Sequence, residues 1–120
     1  MLTALSAGLP EDVRIRQEVL RQGFAIVAIS SADRRGRRCW DVKLEPKASM
    51  DGQHVAKILG TVRKREGLQQ APLYALGASS GGAFVLMLPH LVPDVQASGI
   101  PSLSCAGAGS LSVHLLLLQT

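Results

Sequence analysis

The feature that most constrains this chain is the run Leu73-Tyr74-Ala75-Leu76-Gly77-Ala78-Ser79-Ser80-Gly81-Gly82-Ala83-Phe84-Val85. An apolar segment of strand length enters a cluster of glycine, alanine and serine, and an apolar helical segment leaves it. Small residues at Gly77, Ala78, Gly81, Gly82 and Ala83 suit a sharp strand-to-helix turn, where the backbone is strained and neighbouring chain lies close. The first N–H groups of such a helix have no partner within it, and the positive end of its dipole lies at the turn. Any fold of this chain must bring a strand end and a helix N-terminus to one point.

The flanking sequence extends the alternation of helix and strand. Leu9-Pro10-Glu11-Asp12 predicts a helix start, Val13, Ile15, Val19 and Leu20 its buried stripe, and Gly23 its end. Phe24 to Ser30 is a continuous apolar run, as expected of a parallel strand buried on both faces. From Asp51, read as an N-cap, the residues Val55, Ile58, Leu59 and Val62 recur at helical spacing, and Gly67 ends that helix. Leu73 to Leu76 is the next strand. Ser80 to Leu91 reads as a helix that Pro89 weakens or ends, and Val95 to Ile100 as a short strand closed by Pro101. With only Phe24, Trp40, Tyr74 and Phe84 as aromatics, the core must be aliphatic. The expected fold class is α/β with a mainly parallel sheet. Residues 1–101 form its core, and 102–120 are an apolar, low-complexity tail expected to be poorly ordered. Within that tail Ser102 to Ser112 has no usable period, and Leu115 to Leu118 is apolar without amphipathicity.

Charge is divided unevenly. All thirteen Lys and Arg residues fall between Arg14 and Arg65, and from Gly67 onward the only charged side chain is Asp94. A half so poor in charge dissolves badly unless covered, by its own fold, by further sequence or by a protein partner. The run Asp33-Arg34-Arg35-Gly36-Arg37-Arg38 is expected to be an exposed loop, with Asp33 and Asp41 balancing its charge and Trp40 as its packing lid. No binding motif accompanies these arginines, so no nucleic-acid partner is expected. His54 has no second ligand at metal spacing and is read as a surface residue. Cys39 and Cys105 show neither metal-ligand spacing nor a disulfide framework, and are read as two unpaired thiols. No segment has the form of a signal peptide or is long enough to span a bilayer, which leaves a cytoplasmic location by default.

From about residue 9 to 101 the order of elements resembles the middle of an α/β-hydrolase. The sharpest points are Gly77-Ala78-Ser79-Ser80-Gly81-Gly82 and the preceding strand Gly23-Phe24-Ala25-Ile26-Val27-Ala28-Ile29. In that superfamily Gly-x-Ser-x-Gly forms a nucleophile elbow. The resemblance implies a partial three-layer sandwich, with Ser79 as nucleophile toward a small-molecule ester or amide. It gives the backbone N–H of Ser80 the role of oxyanion donor, and it calls for no metal or cofactor.

The chain also departs from the family. There the acid and the histidine follow the serine in that order. Here the only acid after Ser79 is Asp94, which comes before the next strand, and the only histidines are His90, late in the helix, and His114, in the tail. A second oxyanion donor normally comes from a loop before the first helix, where this chain offers only Ser6-Ala7-Gly8. The family's strand order also puts one further strand, expected upstream of Met1, between the Phe24 strand and the elbow strand. Its loss leaves backbone groups in mid-sheet unpaired at ~1–3 kcal/mol each if buried, so the chain must re-pair its strands or remain partly disordered. The expectation is a truncated, weak or inactive hydrolase-like protein. Two alternatives stand beside it. One is a non-catalytic interaction or pseudo-enzyme fragment whose apolar half docks on a partner. The other is the glycine-rich dinucleotide loop of short-chain dehydrogenases, which departs at Ala83 and lacks a Tyr-x-x-x-Lys pair after Tyr74.

Overall fold

The computed structural model describes residues 10–33, 39–101 and 113–118. The Ser6-Ala7-Gly8 stretch, the four arginines from Arg34 to Arg38, and Cys105 lie outside the described residues. The elements are α1 (Pro10–Arg21), β1 (Phe24–Ile29), α2 (Met50–Glu66), β2 (Leu73–Ser79), α3 (Ser80–Met87), β3 (Val95–Pro101) and β4 (Val113–Leu118). Short 3-10 turns occupy Pro46–Ala48 and Leu88–His90. Helix α2 starts two residues earlier than expected. Its N-cap is Ser49, whose hydroxyl accepts the Gly52 N–H at 2.9 Å, and Asp51 lies inside the first turn. At the other end Gly67 takes φ 68°, and the Leu68 N–H returns to the Arg63 carbonyl at 2.8 Å.

The four strands form one sheet in the order β1-β4-β2-β3. Strands β2 and β3 pair in parallel, while β4 is antiparallel to both β1 and β2. The α/β class is as expected; the mainly parallel sheet is not, since two of the three pairings are antiparallel. The cause is β4 alone. Helices α2 and α3 return the chain between β1, β2 and β3, which all run one way, and β4 comes back against them.

Strand β4 occupies the position between β1 and β2. Its partners run from Phe24↔Leu118 to Ile29↔Val113 on one side and from Leu73↔Leu117 to Leu76↔His114 on the other. Beyond the ladder, the Leu118 N–H reaches the Pro72 carbonyl at 3.0 Å. The strands have thus been re-paired from within the chain. Residues 113–118 of the expected poorly ordered tail are instead its central strand. A strand with both faces covered needs no alternation of polar and apolar residues, so the absence of amphipathicity in this run is the mark of its burial.

One face of the sheet carries Ala25 and Val27 of β1, Val113, Leu115 and Leu117 of β4, Leu73 and Ala75 of β2, and Val95 of β3. Val55, Leu59 and Val62 of α2 and Phe84, Val85 and Met87 of α3 pack on that face. Ile26, Ala28 and Leu116 are buried on the other face, and α1 packs on β1. Each fully buried Leu, Ile or Phe contributes about 1.5–3 kcal/mol of transfer free energy. The cover that the charge-poor half requires is supplied over β4 by the chain itself.

Cys39 is disulfide-bonded, which corrects the expectation of two unpaired thiols.

Candidate functional site

Ser79 is the last residue of β2, and Ser80 the first of α3, with nothing between them. The parallel ladder places Ser79 opposite Pro101, and Ile29 at the end of β1 lies opposite Val113. The carboxyl ends of the three co-directional strands therefore share one end of the sheet, where open α/β sheets bind their ligands.

The turn can be this tight because β2 and α3 lie almost in contact. A Cβ at Gly77 would fall 2.4 Å from the Gly81 carbonyl oxygen and 2.6 Å from its carbon. Those are backbone atoms and cannot move aside without shifting the helix. Close approach thus accounts for the glycine spacing in mechanical terms, whatever chemistry the turn performs.

The Ser80 side chain is buried, and its hydroxyl accepts the backbone N–H of Trp40 at 3.1 Å. That hydroxyl is structural, and what Ser80 can offer to chemistry is its backbone N–H in the first turn of α3. Trp40 lies against α3, its ring centroid 4.5 Å from that of Phe84 at 30°, while the arginine run it was expected to cover lies outside the described residues.

The groups that sequence order offers as base or acid are placed elsewhere. His114 sits opposite Leu76, three residues short of Ser79, or about 10 Å along the strand. It is 2% exposed, and by strand alternation it belongs to the face opposite the one that α3 covers. His90 is exposed, at the end of the turn after α3. Asp94 precedes β3 at the Leu73 end of the ladder, the far end of the sheet from Ser79. Its carboxylate is paired with Arg63 at 2.7 Å, and that guanidinium holds it below the ordinary carboxylate range. Along the sheet, Asp94 and His114 thus stand at positions removed from that of Ser79.

Asp51 has a role that its reading as an N-cap did not contain. One carboxylate oxygen accepts the Ala32 N–H at 3.0 Å and the other the Asp41 N–H at 2.8 Å. It thereby fastens both ends of the segment that includes the arginine run. Asp41, expected to balance the arginines, accepts the Met50 N–H at 2.7 Å and pairs with Lys43 at 3.1 Å. His54 is exposed, as expected.

Among the described residues no three His, Cys, Asp or Glu side chains group as metal ligands, and no helix is long and apolar enough to cross a membrane. No family model, curated protein or solved structure matches the chain.

Proposed function

We propose that this chain is an α/β-hydrolase-like domain that retains a nucleophile elbow at Ser79 but, among the described residues, no histidine or acid positioned to serve it as base. Its ligands are small esters or amides, and it acylates slowly rather than turning over. The observation that carries this reading is the direct junction of β2 and α3 at Ser79 and Ser80, held by the approach of Gly77 to Gly81. Such a junction can point a serine and the Ser80 N–H at one carbonyl. The sheet order supports it too, since one strand position lies between β1 and β2, as the resemblance implies, although antiparallel β4 fills it. With His90, His114 and Asp94 placed elsewhere, the serine has no activating group among them. Oxyanion donors and binding alone still leave a residual acceleration of roughly 10³–10⁴ over water in serine hydrolases stripped of a triad member.

The test is fluorophosphonate labelling read by intact mass. A single adduct forms slowly on the folded chain and is absent from Ser79→Ala and from heat-denatured protein. Absence of any adduct on folded protein removes the elbow reading. Sustained ester turnover, lost in Ser79→Ala, removes the claim that no base is supplied. The docking alternative has lost part of its motive, because β4 of the apolar half is buried in the chain's own sheet.

A further inference from the structure

The sheet has two edge strands, β1 and β3, and they differ in cover. Strand β1 is buried along its middle, with Ala25, Ile26, Val27 and Ala28 each 5% exposed or less. Among the described side chains of β3, Val95 alone is buried; Gln96 and Ser98 are exposed, and Ala97 and Gly99 half-buried. Among the described residues β3 pairs with β2 alone, so the backbone N–H and C=O groups on its other side have no strand partner there. Natural edges are blunted by a lysine, an internal proline, a bulge or an inward charge. Strand β3 has none of these. Its register with β2 runs unbroken from Leu73↔Val95 to Ser79↔Pro101, it carries no charged residue, and its one proline is its last residue.

The distribution of charge selects what can occupy this edge. The chain carries a net charge of +4, with every Lys and Arg between Arg14 and Arg65. Strand β3 and the helix that packs on it, α3, have no charged side chain, and α3 exposes Leu86 to 47%. Asp94, just before β3, is already paired with Arg63. A partner recruited by charge therefore finds no charge to grip. Two copies of the chain repel each other through their basic parts, and this neutral edge is where they can approach without that cost.

We propose that β3 is the dimerisation edge of this protein, pairing with β3 of a second copy so that two four-stranded sheets become one. A two-fold axis makes the pairing antiparallel, because each copy offers the same strand to the other. The axis falls at Ser98, the middle residue of Val95–Pro101, which sets Ala97 opposite Gly99. It also holds the two Asp94 carboxylates at opposite ends of the pair. The outward backbone groups of β3 gain partners, and the basic parts of the two chains stay apart. The pairing stands on β3 and requires no reaction at Ser79.

The test is sedimentation velocity on the whole chain, from roughly micromolar to hundreds of micromolar. A reversible monomer–dimer equilibrium is expected that stops at the dimer. It should hold or strengthen as salt is raised, since salt screens the repulsion between two positive chains. Ser98→Lys opposes two lysines at the axis and should weaken association roughly tenfold or more, with far-ultraviolet circular dichroism unchanged. Should that variant fail to fold, Gln96→Lys, on the same exposed face, replaces it. Deuterium exchange of the wild type is an independent readout: amides within 96–99 should slow at high concentration. A chain that stays monomeric throughout overturns the proposal. So does a dimer that salt dissociates, one that a folded lysine variant leaves intact, or one that leaves exchange at 96–99 unchanged. Growth beyond the dimer overturns it as well, because β3 then meets a different surface and the assembly does not close.

Discussion

Arg63 and Asp94 join the end of α2 to the start of β3 through an ion pair of 2.7 Å, and the two residues are not equals in it. The Arg63 side chain is 11% exposed and also donates to the carbonyls of Leu68, Gln69 and Ala71, whereas Asp94 is 55% exposed. Arg63 therefore organises the whole loop between α2 and β2, and Asp94 decorates it. Arg63→Ala should cost about 1–3 kcal/mol by leaving carbonyls without their donor. Asp94→Asn should cost less than about 1 kcal/mol, as exposed pairs do. Urea unfolding of both variants checks the asymmetry.

The same pair sets a pH dependence. Arg63 lowers the Asp94 pKa in the folded chain, so the contribution is present above the carboxylate's unfolded value of about 3.9 and is lost as pH falls through the lower folded value. Thermal midpoints recorded at decreasing pH should fall more for the wild type than for Asp94→Asn across that acid range. Fluorophosphonate labelling of Ser79 should be unaffected by Asp94→Asn, which separates this acid from the elbow.

Two glycines make a matched test of the turn. Gly77→Ala places a methyl 2.4 Å from backbone oxygen and should destabilise by about 1–3 kcal/mol, as overpacking does. Gly60 lies within α2 with nothing within 4 Å of an added Cβ, so Gly60→Ala should stabilise by about 0.5–1 kcal/mol. Denaturation midpoints moving in opposite directions would establish that the glycine at 77 answers to close approach.

Strand β4 should behave as core. Leu115 is fully buried, and Leu115→Ala should cost about 2–5 kcal/mol. The amides of β4 should exchange with deuterium only through global unfolding, as those of central strands do. Early exchange at 113–118 would contradict its place between β1 and β2.

Asp51→Ala should release both ends of the segment that follows β1. The amides of Ala32 and Asp41 lose their acceptor, a cost of about 1–3 kcal/mol, and exchange at these two positions should rise ahead of that in α2.

The elements up to Pro101 were legible because each announces itself locally. Helical spacing at Val55, Leu59 and Val62, the αL glycine at Gly67 and the continuous run from Phe24 all report on their own immediate surroundings. What escaped were the relations between distant segments. Val113 to Leu118 has the composition of a strand buried on both faces, yet the same composition suits an unstructured apolar tail. Only the vacancy between β1 and β2 distinguishes the two, and that vacancy was legible while its occupant was not. At the candidate site, the Ser79–Ser80 junction follows from the motif. The Trp40 bond to Ser80 does not, because a backbone donor leaves no trace in side-chain identity. Asp51 is a similar case. An acid in a first helical turn fits dipole stabilisation so well that its service to Ala32 and Asp41 has no separate signature.

The pairing of Phe24 with Leu118 bears on how the chain is made. The strand that completes the middle of the sheet is the last of the four to be synthesised. A nascent chain that has formed β1, β2 and β3 still has two inward strand edges open, and pairing them demands closure of a very long loop. Until β4 arrives, those edges can accept a strand from any neighbouring polypeptide. Successful biosynthesis therefore depends on keeping a half-built sheet solitary, and yield should fall more steeply with expression rate than the stability of the finished protein suggests.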